Sequence, residues 1–235
     1  MTPFSKYLPL IILPASIAVA QSETSTNSTP SSTIAQSETA TNSIPATPQI
    51  AVERTQEERV EFLVSVAESY RTESDFISAI DVYERILVID PAHTLARYMA
   101  GYAYISAKQY KKAESTFLAL LEDYPEDFKI WNNLAWLYAT AEDPAIRNGK
   151  KSIEYAHEAM TLAPKDYHVW STLSESYYVS GEYEKALRAI LHMASLAARY
   201  GTDITEEAVK EYNNQILKCK RAMDTANAMK PDDAP

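Results

Sequence analysis

One cysteine and four glycines are all that 235 residues contain of either type, and each scarcity excludes something. With Cys219 alone no disulfide can close within the chain, so packing must hold the fold together. Cys219 reads either as a small buried apolar residue or as a thiol for an intermolecular bridge; its place on an apolar stripe, without an adjacent activating base, favours the first. So little glycine argues against a sheet-rich fold and leaves little room for a phosphate-cradling loop or a nucleophile elbow. The histidines His93, His157, His168 and His192 never recur at a spacing of three or four, so no two imidazoles share a helix face and no metal site is expected. Positive charge is also short: 22 Lys and Arg against 32 Asp and Glu leave −10, and no basic run exceeds Lys111-Lys112 or Lys150-Lys151. Phosphate backbones and anionic lipid should repel such a chain, so nucleic acid is not an expected partner. Carboxylate pairs such as Glu122-Asp123 and Asp232-Asp233 read as solvated surface. Neither an enzyme nor a cofactor is expected.

What is present begins with residues 1–20: Lys6, an apolar run from Tyr7 to Val19 broken by Pro9 and Pro14, and the ending Ala18-Val19-Ala20. The run is too short to cross a hydrocarbon core, which needs about 20 helical residues. Small side chains at Ala18 and Ala20 suit a signal peptidase, so the segment reads as a cleavable signal cut after Ala20, with an uncleaved anchor as the alternative. The chain is therefore expected to be exported, periplasmic or secreted, with no membrane span after cleavage. Residues 21–52 are Ser, Thr, Asn, Gln and Pro with an internal copy, Ala20–Pro30 recurring as Ala35–Pro45. With almost nothing to bury, they read as a disordered tether, a spacer or a glycosylated stalk given the acceptor sequence Asn27-Ser28-Thr29.

From Thr55 the chain changes character. Thr55-Gln56-Glu57-Glu58 has the form of a capping box opening a helix. Four units follow, at 60–93, 94–127, 128–166 and 167–200. Each carries a small residue on a first helix (Ala67, Gly101, Ala135, Ser174) and another on a second (Ala79, Ala113, Ser152, Ala186). Tyr70, Tyr104, Tyr138 and Tyr177 recur in the same register, and Pro91, Pro125 and Pro164 close the first three units. In the third, five extra residues fall in the loop between Ala141 and Gly149; the fourth has no closing proline. This pattern resembles the tetratricopeptide repeat over roughly residues 56–200. The resemblance implies an all-α, right-handed α-solenoid of four helix pairs. Gly201 suggests a left-handed helix end, and 201–229 reads as a capping helix with the apolar stripe Val209, Tyr212, Ile216, Cys219, Met223 and Ala226. Residues 230–235 read as a fraying tail.

In this family the first helices line a concave groove that holds a peptide or a helix of a partner protein. Offsets of three, four and three residues place Glu61, Val64, Glu68 and Arg71 on it, then Leu95, Tyr98, Tyr102 and Ile105. Lys129, Asn132, Trp136 and Ala139 follow, and lastly His168, Ser171, Glu175 and Tyr178. Tyr98, Tyr102 and Trp136, with Asn132 able to bind a main chain, form the expected hot spot. The same rings have an alternative use in packing against a neighbouring helix. Family members that clamp a terminal carboxylate use Lys, Arg and Asn on this face. Here Val64, Glu68 and Tyr102 stand at such places, so that role is not carried over; beside Glu61, Glu68 and Glu175 an uncharged or mildly basic segment is the expected ligand. The chain reads as a protein-interaction adaptor, with a self-associating envelope subunit as the rival.

Overall fold

The structure, a computed structural model, describes residues 55–202 and 204–229. The expected signal at 1–20, the tether at 21–52 with Asn27, and the tail at 230–235 lie outside those residues. Within them the chain forms α1 (Gln56–Thr72), α2 (Phe76–Ile89), α3 (Thr94–Ser106), α4 (Tyr110–Asp123), α5 (Phe128–Thr140), α6 (Gly149–Leu162), α7 (Tyr167–Val179), α8 (Tyr183–Tyr200) and α9 (Glu206–Ala228). The first eight pack as antiparallel pairs stacked in chain order, and α9 packs on α8. This is the solenoid with a capping helix that the repeats imply.

Local chemistry places the ends. The Thr55 hydroxyl accepts from the Glu58 amide at 3.2 Å while the Thr55 amide donates to the Glu58 carboxylate at 2.8 Å, completing the capping box. Asp75, Asp127, Asn148, Asp166 and Thr205 cap the later helices with their side-chain oxygens. Helices α2, α4 and α6 stop two residues before Pro91, Pro125 and Pro164. Without such a proline α8 runs for 18 residues instead of 14.

Within each pair, close approach depends on the small residues. A Cβ on Gly101 would meet the Phe117 ring at 2.8 Å, and in the third and fourth pairs the small residues are joined by hydrogen bonds, from the Ser152 hydroxyl to the Ala135 carbonyl at 2.8 Å and from Ser174 to Ala186 at 2.9 Å. The turns share one device. The amides of Asp75, Gln109, Asn148 and Glu182 donate back to the carbonyls of Tyr70, Tyr104, Tyr138 and Tyr177 at 2.8–2.9 Å. The long third turn makes the same bond, so its extra residues are looped out without moving the helices they join. The short turns need a left-handed residue, and only Gly181 (φ 77°) is a glycine; Ser74 (62°) and Lys108 (59°) take the conformation with a Cβ.

Between pairs, the recurring tyrosines bond to the preceding second helix. Tyr104 donates to Glu84 at 2.7 Å and Tyr138 to Glu114 at 2.7 Å, while Tyr177 meets His157 at 2.9 Å. The Trp131 and Trp170 indoles donate to the carbonyls of Pro125 and Pro164.

Two expectations are corrected. Gly201 is extended (φ −68°), not left-handed; it is needed because a Cβ there would lie 2.2 Å from Ile204 and 2.5 Å from the Ala197 carbonyl. Val209 is 47% exposed and leaves the apolar stripe of α9, which is buried only from Tyr212 onward and most deeply at Cys219.

Candidate protein-binding groove

The first helices α3, α5 and α7 lie side by side, and α9, packed on α8, brings Lys218 to Glu175 of α7. Their shared face is where the expected groove residues fall, and the structure divides them into two groups.

Tyr98 and Tyr102, expected at the centre of a hot spot, belong to the core, being 4% and 6% exposed. The Tyr98 ring sits edge-on to Phe117 at 5.7 Å, and its hydroxyl accepts from the Asn133 amide at 2.7 Å. Burial pushes its phenol well above the ordinary tyrosine value. Tyr102 is edge-on to Phe76 at 6.1 Å. The helix pairs on either side of α3 leave these rings more to gain by packing than by facing solvent.

Trp136 remains half-buried, on one wall of a cleft of about 650 Å³ between α5, α7 and α9. Ser171, Ser174 and Glu175 form the α7 wall; Glu207, Lys210, Glu211, Asn214, Gln215 and Lys218 form the α9 wall. A second cleft of about 480 Å³, beyond Lys218, is bounded by Tyr178, Tyr183, Arg221 and Met229. The α9 residues were missed because α9 was read only as a cover. The available signal was its polar stripe, Glu207, Lys210, Asn214 and Lys218, spaced by three and four on the side away from the apolar one.

The charged candidates are mostly engaged within the chain. Glu68 accepts from the Tyr83 hydroxyl at 2.8 Å and pairs with Arg71 at 2.7 Å. Glu175 is held by Lys218 at 2.9 Å, and the same ammonium lies 3.9 Å above the Tyr178 ring. His168 contacts Asp166 at 3.1 Å and stacks on Tyr167 at 4.0 Å. Of the three carboxylates that suggested a basic ligand, Glu68 and Glu175 have cations already, while Glu61 is exposed to solvent. Lys129 differs: it is 7% exposed, with no ion-pair partner among the described residues.

Register exposes a second asymmetry. Asn132 holds on α5 the place that Tyr98 holds on α3, and Thr172 holds on α7 the place of Asn133 on α5 once the inserted residues are allowed for. Asn133 and Tyr98 are bonded, closing α3 against α5. Asn132 Oδ1 and Thr172 Oγ1 are buried without a hydrogen-bond partner, so α5 and α7 meet with two oxygens unanswered.

Among the described residues no group of His, Cys, Asp and Glu could hold a metal, and no helix is long and apolar enough to cross a membrane. Cys219 is 3% exposed, and burial raises its thiol pKa, as expected of a packed side chain.

Residues 70–137 match the family model described as tetratricopeptide repeat. Superkiller protein 3 from Schizosaccharomyces pombe is 25% identical over 122 residues, which are 51% of this chain and 9% of that protein, so the chain spans only a small part of that relative. Among solved structures, a tetratricopeptide repeat protein from Parabacteroides merdae superposes with a TM-score of 0.56 at 19% identity, over 74% of this chain and 66% of that one. The thermophilic repeat protein TTC0263 from Thermus thermophilus gives 0.55 at 17%, over 76% and 93%. MamA from Desulfovibrio magneticus gives 0.53 at 21%, over 63% and 78%. At these identities the structural likeness is one of fold.

Proposed function

We propose that this tetratricopeptide repeat chain is an exported adaptor that holds a peptide or helix of a partner protein against the face formed by α3, α5, α7 and α9. The observation that carries the reading is the cleft at Trp136, where a half-buried indole and a rim of polar side chains from two neighbouring helices remain open. An indole at the wall of a cleft has much area to bury against a ligand at small entropic cost. Stacked repeats supply such surfaces in general, which supports an interaction scaffold over a catalyst. On this reading binding centres on Trp136, one of the three rings of the expected hot spot, while Tyr98 and Tyr102 serve packing. Export rests on the signal-like pattern of residues 1–20, and residues 21–52 then serve as a tether ahead of the solenoid.

The test is affinity capture from the native envelope fraction with the full chain and with Trp136→Ala. A protein recovered by the wild type and lost from a variant with an unchanged melting transition supports the adaptor. Recovery of the bait alone, equally by both forms, sinks that reading in favour of a self-associating envelope subunit. Finding the uncleaved chain in the cytosolic fraction would remove the exported part of the proposal.

A further inference from the structure

We infer that the chain forms a two-fold dimer through the outer side of α1, at the open end of the stack, with the two α1 helices antiparallel and Val66 at the axis. Leu63 of each copy packs against Tyr70 of the other, and Arg59 of each meets Glu73 of the other. This surface is separate from the cleft at Trp136, so the dimer carries two such clefts.

The repeat register is the first argument. Val66 holds on α1 the place of Ala100, Leu134 and Leu173 on the later first helices, and Tyr70 holds that of Tyr104, Tyr138 and Tyr177. In the later pairs this side of the first helix is turned to the pair before it. Tyr104, Tyr138 and Tyr177 bond to α2, α4 and α6, and Ala100, Leu134 and Leu173 are 1%, 0% and 2% exposed. No pair precedes α1 among the described residues, so Leu63, Val66 and Tyr70 are only partly buried and the Tyr70 hydroxyl has no such helix to reach. The two ends of the stack are therefore unlike. At the far end α9 covers the last pair and turns Lys210, Asn213, Lys220 and Asp224 outward, as suits a terminal element in water. By contrast, α1 keeps the apolar residues of a junction at an end where the described residues supply no neighbour.

The pattern along that side names the occupant, and is the second argument. Arg59, Leu63, Val66, Tyr70 and Glu73 recur at four, three, four and three residues, one continuous stripe of the kind that two packed helices bury between them. Its ends carry opposite charge, a cation seven residues before Val66 and an anion seven after. Turned end for end upon itself, the stripe sets Val66 on Val66, Leu63 on Tyr70, and Arg59 on Glu73 twice over. A parallel arrangement would set Arg59 on Arg59 and Glu73 on Glu73, like charge on like. Both side chains are exposed; Glu73 accepts from the Ser69 hydroxyl at 3.3 Å, and Arg59 makes no ion pair among the described residues. A two-fold interface needs this self-complementarity, since each contact is repeated in reverse.

The upstream part of the same chain fits the stripe less well. Residues 21–52 hold Glu23 and Glu38 but no Lys or Arg, so they can answer Arg59 and not Glu73. A second copy answers both, at the matching separation of about 21 Å along the helix.

One helix on each side makes a small interface, so the dimer is expected to dissociate at about 1–100 μM. The test is sedimentation of the full chain across that range, where a reversible monomer–dimer equilibrium should appear. Arg59→Glu and Glu73→Arg, both at exposed positions, should each weaken it about 10-fold by setting like charges together at two places, and the double exchange should restore it. Under mild oxidation Val66→Cys should form a disulfide dimer, because two thiols meet at the axis. Arg59→Cys should not, lying about 21 Å from its counterpart. The wild type, whose Cys219 is 3% exposed, is the control. The cross-link decides the matter even if a charge variant loses stability. A chain monomeric throughout the range overturns the inference, as does a dimer indifferent to both charge changes. So does cross-linking through Arg59→Cys as readily as through Val66→Cys. Assemblies that keep growing with concentration mean an open head-to-tail contact and overturn it too. Each of these outcomes leaves the adaptor reading standing. Trp136→Ala should leave the dimer intact; a dimer lost with that variant would put self-association in the cleft and end both this inference and the adaptor reading.

Discussion

The α3–α5 junction and the α5–α7 junction are built in the same register yet do different things. At the first, Tyr98 fills the space between helices, stacks edge-on to Phe117 and accepts a hydrogen bond from Asn133. At the second, Asn132 and Thr172 occupy the equivalent places and leave two buried oxygens unpaired, beside a tryptophan that opens on a cleft. A large amphipathic ring closes its junction because it brings both apolar area and a polar tip that finds a partner. A short amide in the same place brings little area, and its polar end stays unmatched. Position within a repeat thus says which face a residue lies on, while side-chain size decides how completely the junction there is filled and its polar groups answered.

The largest test of this contrast is truncation of the two aromatics. Tyr98→Ala should cost about 3–5 kcal/mol, as removal of a buried aromatic does, and Trp136→Ala much less. Denaturant unfolding of both variants checks it, and equal losses would erase the distinction between the junctions. Next come the two neighbouring asparagines. Asn133→Leu should cost about 1–3 kcal/mol because it strands the buried Tyr98 hydroxyl, whereas Asn132→Leu, which removes an unanswered buried oxygen, should be neutral or stabilising.

Alkali should act on the first junction and spare the second. In the folded chain burial raises the Tyr98 phenol, so it stays neutral while the tyrosines of the unfolded chain ionise near pH 10. The unfolded state releases more protons there, and stability falls as pH rises through that range. Tyr98→Phe should flatten the decline in melting temperature between pH 9 and about 11, while Asn132→Leu should not change it. The smallest expected effect lies outside both junctions. Ser74→Gly relieves a left-handed Cβ in a turn that the fourth pair makes with Gly181, and should add up to about 1 kcal/mol, read as a small rise in melting temperature.

Much of the architecture was legible before any coordinates. Capping by Thr55, the stops set by Pro91, Pro125 and Pro164, and the paired small residues such as Ser152 with Ala135 are local, and each helix was readable from its own residues. The groove was legible only as a set of faces. Counting placed Tyr98, Tyr102, Asn132 and Trp136 on one surface, but could not show that Phe117 and Phe76 would claim the first two. Nor could it show that Lys218, 43 residues from Glu175, would pair with it.

The sequence by itself therefore determined the repeat, its register and the ends of its helices, because those depend on residues a few positions apart and on a period that repeats them. Only the tertiary structure decided which side chains of that register are taken up by packing and which charges are already paired. Burial and ion pairing are settled by helices that meet in space from distant parts of the chain, and no spacing within one helix contains that information.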